Sequence, residues 1–379
     1  MIHYLRYCCA MLFALFSFLL ATPLSAQAQT REAYVAQSAD KTTLTFYYDA
    51  LRATRTGTTW GIEEKKEGDL PVPAWAGTIQ EGNATTARVV FDASFRDFRP
   101  TTTAKWFHYC KALTKIEGLE YLNTAEVKDM SSMFWGCSAL TSLDLKNFNT
   151  QNVTDMSGMF SDCWTLTSLN LKNFNTKNVT KMGLMFFNCR ALTSLDLKNF
   201  NTQNVTDMRG MFSGCKALTS LDLKNFNTQN VTNMEGMFET CVALTSIDLK
   251  HFNTQNVTDM SRMFWGCSAL TSLDLQHFDT QNVTDMSWMF TDCKALTSLD
   301  LQHFNTKNVT DMGRMFYDCS GLTAIHCNTV WQCRESENMF AGCTKLKGAV
   351  AYDKNKVDAK MANPETGYFT AKPTMVESR

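Results

Sequence analysis

Residues 140–165 read LTSLDLKNFNTQNVTDMSGMFSDCWT, and this 26-residue phrase contains two structural patterns in succession. The first is an L-x-x-L-x-L spacing, whose last two leucines alternate as on a short strand: Leu140, Leu143 and Leu145. The second places apolar side chains at i, i+3, i+4 and i+7, as on one face of a helix: Met156, Met159, Phe160 and Cys163. Thr154 or Asp155 is placed to cap that helix. The phrase therefore predicts a strand, a turn and a short helix.

The same phrase returns along most of the chain. Its cysteine recurs every 26 residues from Cys137 to Cys319, with Cys110 lying 27 residues before this series and Cys343 lying 24 after it. Self-similarity at this period is typical of solenoids and falls in the range of leucine-rich repeats. Because no single repeat can bury its apolar face alone, the repeats must stack on one another. The spacing therefore predicts about ten stacked coils over residues 104–348.

The predicted fold class is an α/β repeat protein, a right-handed leucine-rich-repeat solenoid with a cap at each end. Residues 29–103 lack the repeat and contain two β-like runs, TTLTFYYD at 42–49 and ARVVFDASF at 87–95. Since a solenoid exposes an apolar end, we expect this region to be an N-terminal β cap, and an independent functional domain is the alternative. Residues 349–379 are expected to form the C-terminal cap and tail.

The first 28 residues are predicted to be a signal peptide. A basic start is followed by an apolar run over about residues 8–20 and then by small residues, with cleavage expected after Ala26 or Ala28. The alternative is an uncleaved membrane anchor, but the apolar run is shorter than the roughly 20 residues that span a bilayer, and Pro23 interrupts it. No later segment is predicted to span a membrane. The chain is therefore expected to be exported, either secreted or held at the cell surface or outer envelope.

Charge and motifs exclude several functions. The chain carries 36 basic and 37 acidic residues without a basic block, which argues against a nucleic-acid partner. The sequence contains no G-x-S-x-G, no H-E-x-x-H and no phosphate-binding loop. We therefore expect a non-enzymatic protein with no cofactor and no resident metal.

The regular cysteines allow three interpretations. A cysteine at i+7 of an apolar face behaves as a small buried hydrophobe, which predicts a reduced structural ladder. Disulfides between neighbouring coils are the second interpretation, and a metal or redox site is the third, although the C-x-x-C pairs typical of metal sites do not occur. A separate candidate disulfide joins Cys327 and Cys333 in HCNTVWQC, where the repeat becomes irregular. Two core thiols are the alternative there.

The repeat unit closely resembles the 26-residue repeat of bacterial BspA-like leucine-rich-repeat surface proteins. WFHYCKALTKIEGLEYLNTAEVKDMSSMF at 106–134 resembles the beginning of that family's array, and NPETGYFTA at 363–371 resembles its end. The resemblance implies a secreted or surface-exposed binding protein, with adhesion to host proteins or to other cells as its role. The shared residues are mostly core residues, so the resemblance implies no particular ligand.

Residues that differ between repeats indicate where a ligand binds. Variation concentrates on the outer side of the predicted helix, where three successive coils carry Trp265, Trp288 and Tyr317, flanked by Arg262 and Arg314. Exposed aromatic and arginine side chains are typical of interface hot spots, so these five are the candidate ligand-binding residues for a protein or glycan of a host or bacterial surface. The alternative is drift between repeats, with the aromatic rings lying flat on neighbouring coils. A second functional hypothesis is a structural spacer or coat protein that self-assembles through this face.

The strand face and a set of stacked histidines are two further candidate sites. On the strand face, Asp144 begins a column of mostly aspartate residues, and Lys146 begins a neighbouring column of lysine residues. These two columns predict either a solvated, charge-balanced surface or a ligand-binding stripe. His251, His277 and His303 stack in successive coils and are a weak metal candidate, since no carboxylate or cysteine is aimed at the same point.

The Asn-Val-Thr triplets from Asn152 to Asn308 match the acceptor pattern for N-glycosylation. Asparagine and threonine side chains also satisfy local backbone groups. Because the glycosylation machinery is usually absent from bacteria, hydrogen bonding within the turns is the preferred interpretation.

Overall fold

A computed structural model describes residues 30–66 and 71–372, so the predicted signal peptide lies outside the described residues. The described part contains one continuous hydrophobic core that extends from Val35 near the N terminus to Phe369 near the C terminus. The repeats therefore share their interior with the segments that flank them.

The N-terminal segment forms a mixed sheet that continues into the repeats. Its strands are β1 (Glu32–Gln37), β2 (Thr43–Asp49), β3 (Thr59–Gly61), β4 (Arg88–Phe91) and β5 (Lys115–Glu117), in the order β3-β1-β2-β4-β5. β1 pairs antiparallel with β2 and β3, whereas β2 with β4 and β4 with β5 are parallel. The two β-like runs of the sequence became β2 and β4. β5 belongs to the first repeat, so the sheet passes directly into the solenoid.

Short parallel strands lie at both ends of the array. β6 (Ser142–Asp144) pairs with β7 (Ser168–Asn170), and β8 (Ser298–Asp300) pairs with β9 (Ala324–His326), while β10 (Phe369–Thr370) adds to the free edge of β9. The described 3-10 helices are Arg52–Thr54, Ala93–Asp97, Leu119–Tyr121 and Ala359–Met361. The C-terminal segment therefore continues the sheet of the last coils.

The coils stack through columns of equivalent residues. Single parallel bridges connect coil to coil from Thr102 through Asp129 and Asp155 to Glu335. Beside them the phenylalanine rings form a continuous stack, in which Phe186, Phe212 and Phe238 lie 5.8 and 5.9 Å apart, centroid to centroid, and within 8° of parallel. The leucine, valine, methionine and cysteine columns are buried as well.

The predicted short helix is wrong, and with it the α part of the predicted α/β class. The described residues contain no α-helix, and residues 157–162 form consecutive turns instead. The Met159 amide donates to the Met156 carbonyl at 3.2 Å, whereas the Phe160 amide donates to Met185 of the next coil at 3.0 Å. Because alternate amides bond between coils, the i to i−4 ladder of an α-helix cannot form.

Left-handed residues at two positions of each turn segment explain why the helix fails. Gly158 has φ +60° and Asp162 has φ +56°. A left-handed residue every fourth position is incompatible with a right-handed helix, and glycine, asparagine and aspartate tolerate that conformation best. Glycine, asparagine or aspartate occupies the position of Asp162 in most coils: Gly136, Asp162, Asn188, Gly214, Gly266, Asp292, Asp318 and Gly342; Tyr109 and Thr240 occupy it in the other two. Asp155 accepts from the Ser157 amide at 2.9 Å and so caps a turn rather than a helix.

Thr240 is the β-branched exception in this column, with φ +52°. We expect Thr240→Gly to raise the free energy of unfolding by about 1 kcal/mol, because the left-handed conformation strains a side chain with a branched Cβ. The reverse change, Gly214→Thr, should destabilise by more than that amount, since a Cβ there would lie 2.4 Å from Asn188 Oδ1. Urea denaturation followed by circular dichroism measures both. A Thr240→Gly variant that is no more stable than the native chain would show that the left-handed conformation does not strain Thr240.

The cysteine column is a ladder of free, buried thiols. Cys163 Sγ donates to the Phe134 carbonyl of the preceding coil at 3.2 Å, and Cys189 Sγ donates to the Phe160 carbonyl at 3.1 Å. Burial raises the pKa of the Cys215 thiol to about 12, which keeps it protonated at neutral pH. A cysteine thus fills an apolar site of small volume and supplies a weak donor to a carbonyl, which explains why the residue recurs.

Cys327 and Cys333, the candidate disulfide, are both free thiols in the structure. Cys327 is fully buried, with Sγ 3.3 Å from the Thr329 hydroxyl, whereas Cys333 is half-buried and its Sγ donates to the Glu335 carbonyl at 3.2 Å. The two sulfurs therefore have different partners. Cys327 occupies a core column, whereas Cys333 lies six residues further along the chain and outside that column.

Thiol accessibility tests this ladder. We expect the buried cysteines from Cys110 to Cys343 to resist a disulfide reagent at pH 8 in the native state, because the reagent cannot reach a buried thiol. Cys333 should react first, since it is half-buried, and Cys333→Ser should abolish that early phase. In denaturant without reductant all of these thiols should react. A shortfall of reactive thiols in the unfolded chain would show that disulfides had formed.

The asparagines of the Asn-Val-Thr triplets bond to backbone carbonyls, but to those of the preceding coil rather than within their own turn. Asn152 Nδ2 donates to the Ala125 carbonyl of the preceding coil at 2.7 Å, and Asn308 Nδ2 donates to Gln281 at 2.6 Å. The triplets between them make the same contact. These side chains therefore hold neighbouring turns together.

Candidate binding surface

The outer turn of each coil has a left-handed position that is filled differently along the array. It holds Ser132, Gly158, Leu184, Gly210, Gly236, Arg262, Trp288, Arg314 and Asn338, all with positive φ. Three of these coils have glycine, which adopts this conformation without strain. Arg262, Trp288 and Arg314 follow one another with φ values of 59°, 60° and 54°. A large side chain in this conformation costs about 1–2 kcal/mol, so three successive coils retain such residues at the expense of stability.

Trp288 lies between two of the other predicted residues. Its ring centroid is 5.2 Å from that of Trp265 in the preceding coil, with the planes tilted by 40°. From the following coil the Arg314 guanidinium lies over the Trp288 ring, 4.5 Å from its centroid. All three side chains are half-buried. The structure thus brings these residues into one stack, which also shows that the rings pack on neighbouring coils.

The other two predicted residues lie at the margins of this stack. Arg262 is held by Glu235, with Nη1 3.0 Å from Oε1. Tyr317 is the exposed member, with 38% of its surface accessible. We call the set Trp265, Trp288, Arg314 and Tyr317 the outer patch, with Arg262 at its border.

The polar groups of the outer patch are donors without acceptors. Within residues 30–66 and 71–372, no hydrogen bond is donated by Nε1 of Trp265, Nε1 of Trp288, the Tyr317 hydroxyl or the Arg314 guanidinium. Asp292, which is 27 residues after Trp265, instead forms an ion pair with Lys294 at 2.9 Å. The patch therefore presents hydrogen-bond donors that its own coils do not satisfy.

A second aromatic cluster, which the sequence did not predict as a site, lies on the same side of the N-terminal coils. There Trp135 Nε1 and Trp164 Nε1 donate to the two oxygens of Asp162 at 2.9 and 3.1 Å, and Asn188 Nδ2 donates to Oδ1 at 2.9 Å. The Arg190 guanidinium lies 4.9 Å from the Trp164 ring centroid. The signal in the sequence was Trp164 directly after a core cysteine. Asp162 satisfies both indoles of this cluster, whereas the Arg190 guanidinium donates no hydrogen bond to a described residue; the cluster serves as an internal comparison for the outer patch.

A column of carboxylates precedes the outer turns of the same coils along the chain. Asp259, Asp285, Asp311 and Glu335 are joined by successive parallel bridges. Burial, with the neighbouring Asp285 and Glu335 carboxylates, raises the pKa of Asp311. In the N-terminal half the same column contains Lys181, which lies 3.4 Å from Asp155. The coils that carry the outer patch therefore contain both signs of charge, since Arg262, Lys294 and Arg314 accompany these carboxylates.

The other candidate sites are surface features. Lys146 Nζ lies 3.0 Å from Asp144 within one coil, and the same ion pair recurs in three later coils. Such exposed pairs contribute little to stability. His251, His277 and His303 are exposed. In the described ranges no group of three or more histidine, cysteine, aspartate or glutamate side chains is arranged to hold a metal ion.

Comparison with known proteins places the repeats in a family. A family model described as a Mycoplasma protein of unknown function, DUF285, matches residues 101–195, 163–248, 185–273 and 243–353. The chain belongs to the DUF285 family. The matched DUF285 repeats contain the repeat unit and the array start that carry the resemblance to BspA-like proteins, so the recognition of a repeat protein of this class is confirmed. The description names no catalytic activity.

Solved structures similar to this DUF285 chain include leucine-rich-repeat proteins. One from Bacteroides ovatus is 18% identical, with coverage of 84% of this chain and 92% of that one and a TM-score of 0.31. A leucine-rich cell surface protein from Faecalibacterium prausnitzii is 17% identical over 89% and 97% of the two chains, with a TM-score of 0.35. A leucine-rich-repeat protein from T. pallidum is 18% identical over 63% and 87%, with a TM-score of 0.26. No curated protein gave a match.

Among the described residues, no helix has the length and apolar character that crossing a membrane requires.

Proposed function

We propose that this chain is an exported, non-enzymatic binding protein that uses the outer patch to hold a protein or glycan of a host or bacterial surface. Export rests on the signal peptide predicted for residues 1–28, and a binding role rests on the repeat class. The five residues selected from the sequence are the ones that we assign to ligand binding: Trp265, Trp288, Tyr317, Arg262 and Arg314.

The observation that supports this proposal is the strained run of Arg262, Trp288 and Arg314. Three other coils hold glycine at the equivalent position, so the fold accepts the unstrained residue. Strained backbone retained over three successive coils is typical of a functional surface. Half-buried aromatic and arginine side chains with unused donors also match the composition of interface hot spots.

The test compares a double tryptophan variant of the outer patch with a single tryptophan variant of the N-terminal cluster. The full chain and its Trp265→Ala/Trp288→Ala variant are immobilised and exposed to host extracellular proteins, bacterial surface proteins and a glycan array. We expect the double variant to lose most of the captured ligand, because an aromatic anchor typically contributes 2 kcal/mol or more to binding, on the order of thirtyfold in affinity. The control is Trp164→Ala, which removes an exposed tryptophan of the same side from the N-terminal cluster.

Three outcomes are distinguishable. Capture lost only in the double variant supports the proposal. Capture that is unchanged in the double variant contradicts it. If light scattering shows that the native chain self-associates and that only the double variant abolishes this, the outer patch serves the alternative function of a self-assembling spacer or coat.

A further inference from the structure

We propose that the array contains a hinge near its centre, where two neighbouring coils meet on their strand side without a hydrogen bond between them. The two facing segments are residues 216–226 and 242–252, which we call the seam. The hinge goes beyond the proposed function and does not depend on it. Three features of the array support it: the bonds missing from the strand side, the unbroken bonds of the turn side, and the looser packing of the seam.

The strand side of the central coils lacks the pairing of the outer coils. In the array β6 pairs with β7 and β8 with β9, and none of the described residues between Asn170 and Ser298 belongs to a strand. The structure describes the whole seam, and no hydrogen bond or ion pair joins residues 216–226 to residues 242–252. Apolar side chains of the common core therefore hold the seam closed.

A change in the repeat coincides with the seam. Asn173, Asn199 and Asn225 each donate through Nδ2 to a lysine carbonyl of the preceding coil at 2.6 Å. His251 occupies the next position of this column, and its ring forms no hydrogen bond with any residue that the structure describes. The two following interfaces keep a backbone bond on this side, from the Thr271 amide to the Thr245 carbonyl at 3.3 Å and from the Ala295 amide to the Ser268 carbonyl at 3.2 Å. The seam has neither kind of link.

The turn side of the same interface is fully bonded and serves as the pivot. The Gly236 amide donates to the Ser261 carbonyl of the next coil at 2.8 Å. The Phe238 amide donates to the Met263 carbonyl at 3.0 Å, and the Phe238 ring stacks on that of Phe264 at 5.7 Å, centroid to centroid. Widening this side would break the ladder, whereas widening the strand side breaks no hydrogen bond. Bending at the seam is therefore one-sided.

The side chains of the seam pack less tightly than those of the paired coils. Ile247 is half-buried, whereas Leu299 and Ile325 at the same position of β8 and β9 are 1% and 0% exposed. Two ion pairs flank the seam, but each joins a lysine to an aspartate of its own coil at 3.0 Å. Leu223 and Leu249 are buried, and exposing them is unfavourable. The motion is therefore a limited change of angle.

The hinge separates two halves of the array that carry different aromatic clusters. The N-terminal cluster with Trp135 and Trp164 precedes the seam, and the outer patch follows it. A few positions that absorb the motion while the flanking units stay rigid are typical of hinges. Bending at the seam tilts one cluster relative to the other, which lets the array follow partner surfaces of different curvature.

Spin labels on either side of the seam test the hinge in the full chain. Lys172→Cys and Gln276→Cys introduce exposed thiols on the strand side, and Cys333→Ser removes the half-buried native thiol. Pulsed electron paramagnetic resonance then measures the distribution of distances between the two labels. We expect a broad distribution in this background and a narrower one after His251→Asn. The new amide should bond to the Lys224 carbonyl as Asn225 bonds in the preceding coil.

The matched control is His303→Asn, which makes the same change outside the labelled interval and should leave the distribution unchanged. Hydrogen exchange of the unlabelled native chain gives an independent measurement. Backbone amides of residues 245–249 should exchange at least about a hundredfold faster than those of β9, because local opening of an unpaired segment requires little free energy. Thermal melting of each variant confirms that it is folded.

Each outcome decides the proposal. A broad distribution that only His251→Asn narrows, with fast exchange at the seam, supports the hinge. A distribution that is already narrow in the labelled background, or seam amides as protected as those of β9, would overturn it. A broad distribution that His251→Asn does not narrow would place the motion elsewhere and would overturn it as well.

Discussion

Phe212→Ala is expected to lower the free energy of unfolding by about 3–5 kcal/mol, the usual result of truncating a buried aromatic side chain. Phe212 is fully buried and lies between Phe186 and Phe238 at ring centroid distances of 5.8 and 5.9 Å. Its loss interrupts the aromatic stack in the middle of the array. Because each coil contacts only its neighbours, the cavity weakens the interfaces on both sides.

Urea denaturation followed by circular dichroism and by tryptophan fluorescence measures this effect. The two halves of the array carry different tryptophans. If the broken stack uncouples the halves, the unfolding transition followed by tryptophan fluorescence should no longer coincide with the one followed by circular dichroism. The control is Phe187→Ala. Phe187 is half-buried and directly follows Phe186 of the stack, so its truncation should lower the free energy of unfolding clearly less. A similar loss at both positions would show that the inner stack has no special role.

Thr202→Val is expected to destabilise the chain by about 1–3 kcal/mol although it barely changes the side-chain volume. The Thr202 hydroxyl is fully buried and bonds twice to one residue of the next coil. It donates to the Asn227 carbonyl at 2.9 Å and accepts from the Asn227 amide at 2.8 Å. Valine leaves both backbone groups without a partner, and unsatisfied polar groups of this kind account for most of the expected cost.

Thr206→Val is the matched control, four residues further along the same coil. Thr206 is exposed, and its hydroxyl donates to the Thr180 carbonyl at 3.3 Å. Water can replace that bond, so we expect a change of less than about 0.5 kcal/mol. Thermal unfolding compares the two variants directly. If Thr202→Val proves as mild as Thr206→Val, the buried threonine column does not hold the coils together.

The core could be predicted well because the period specifies it. Leu145, Met156, Phe160 and Cys163 recur at fixed intervals, and stacking on neighbouring coils is the only way for so short a unit to bury them. Their burial in the structure follows from that requirement. The sequence indicated that the asparagines bond to backbone groups, but only the stacking of the coils placed their partners in the preceding coil.

The helix could not be decided from the apolar spacing. Met156, Met159, Phe160 and Cys163 are compatible with one face of a helix and also with two consecutive turns that bury the same four side chains. Gly158 and Asp162, at left-handed positions four residues apart, distinguish these two structures. That signal was present in the sequence, but Leu184, Arg262, Trp288 and Arg314 obscured it, since large residues rarely adopt this conformation.

The sequence by itself determined the repeat, its period, the side chains of the core and the outer positions that vary between coils. All of these follow from periodicity, which is a local property of the chain. The tertiary structure decided which variable residues meet. Trp135 finds an acceptor in Asp162, whereas Asp292, in the equivalent position for Trp265, pairs with Lys294. Stacking of neighbouring coils decides the Trp135–Asp162 contact, because these residues lie 27 positions apart, whereas Lys294 reaches Asp292 within its own coil.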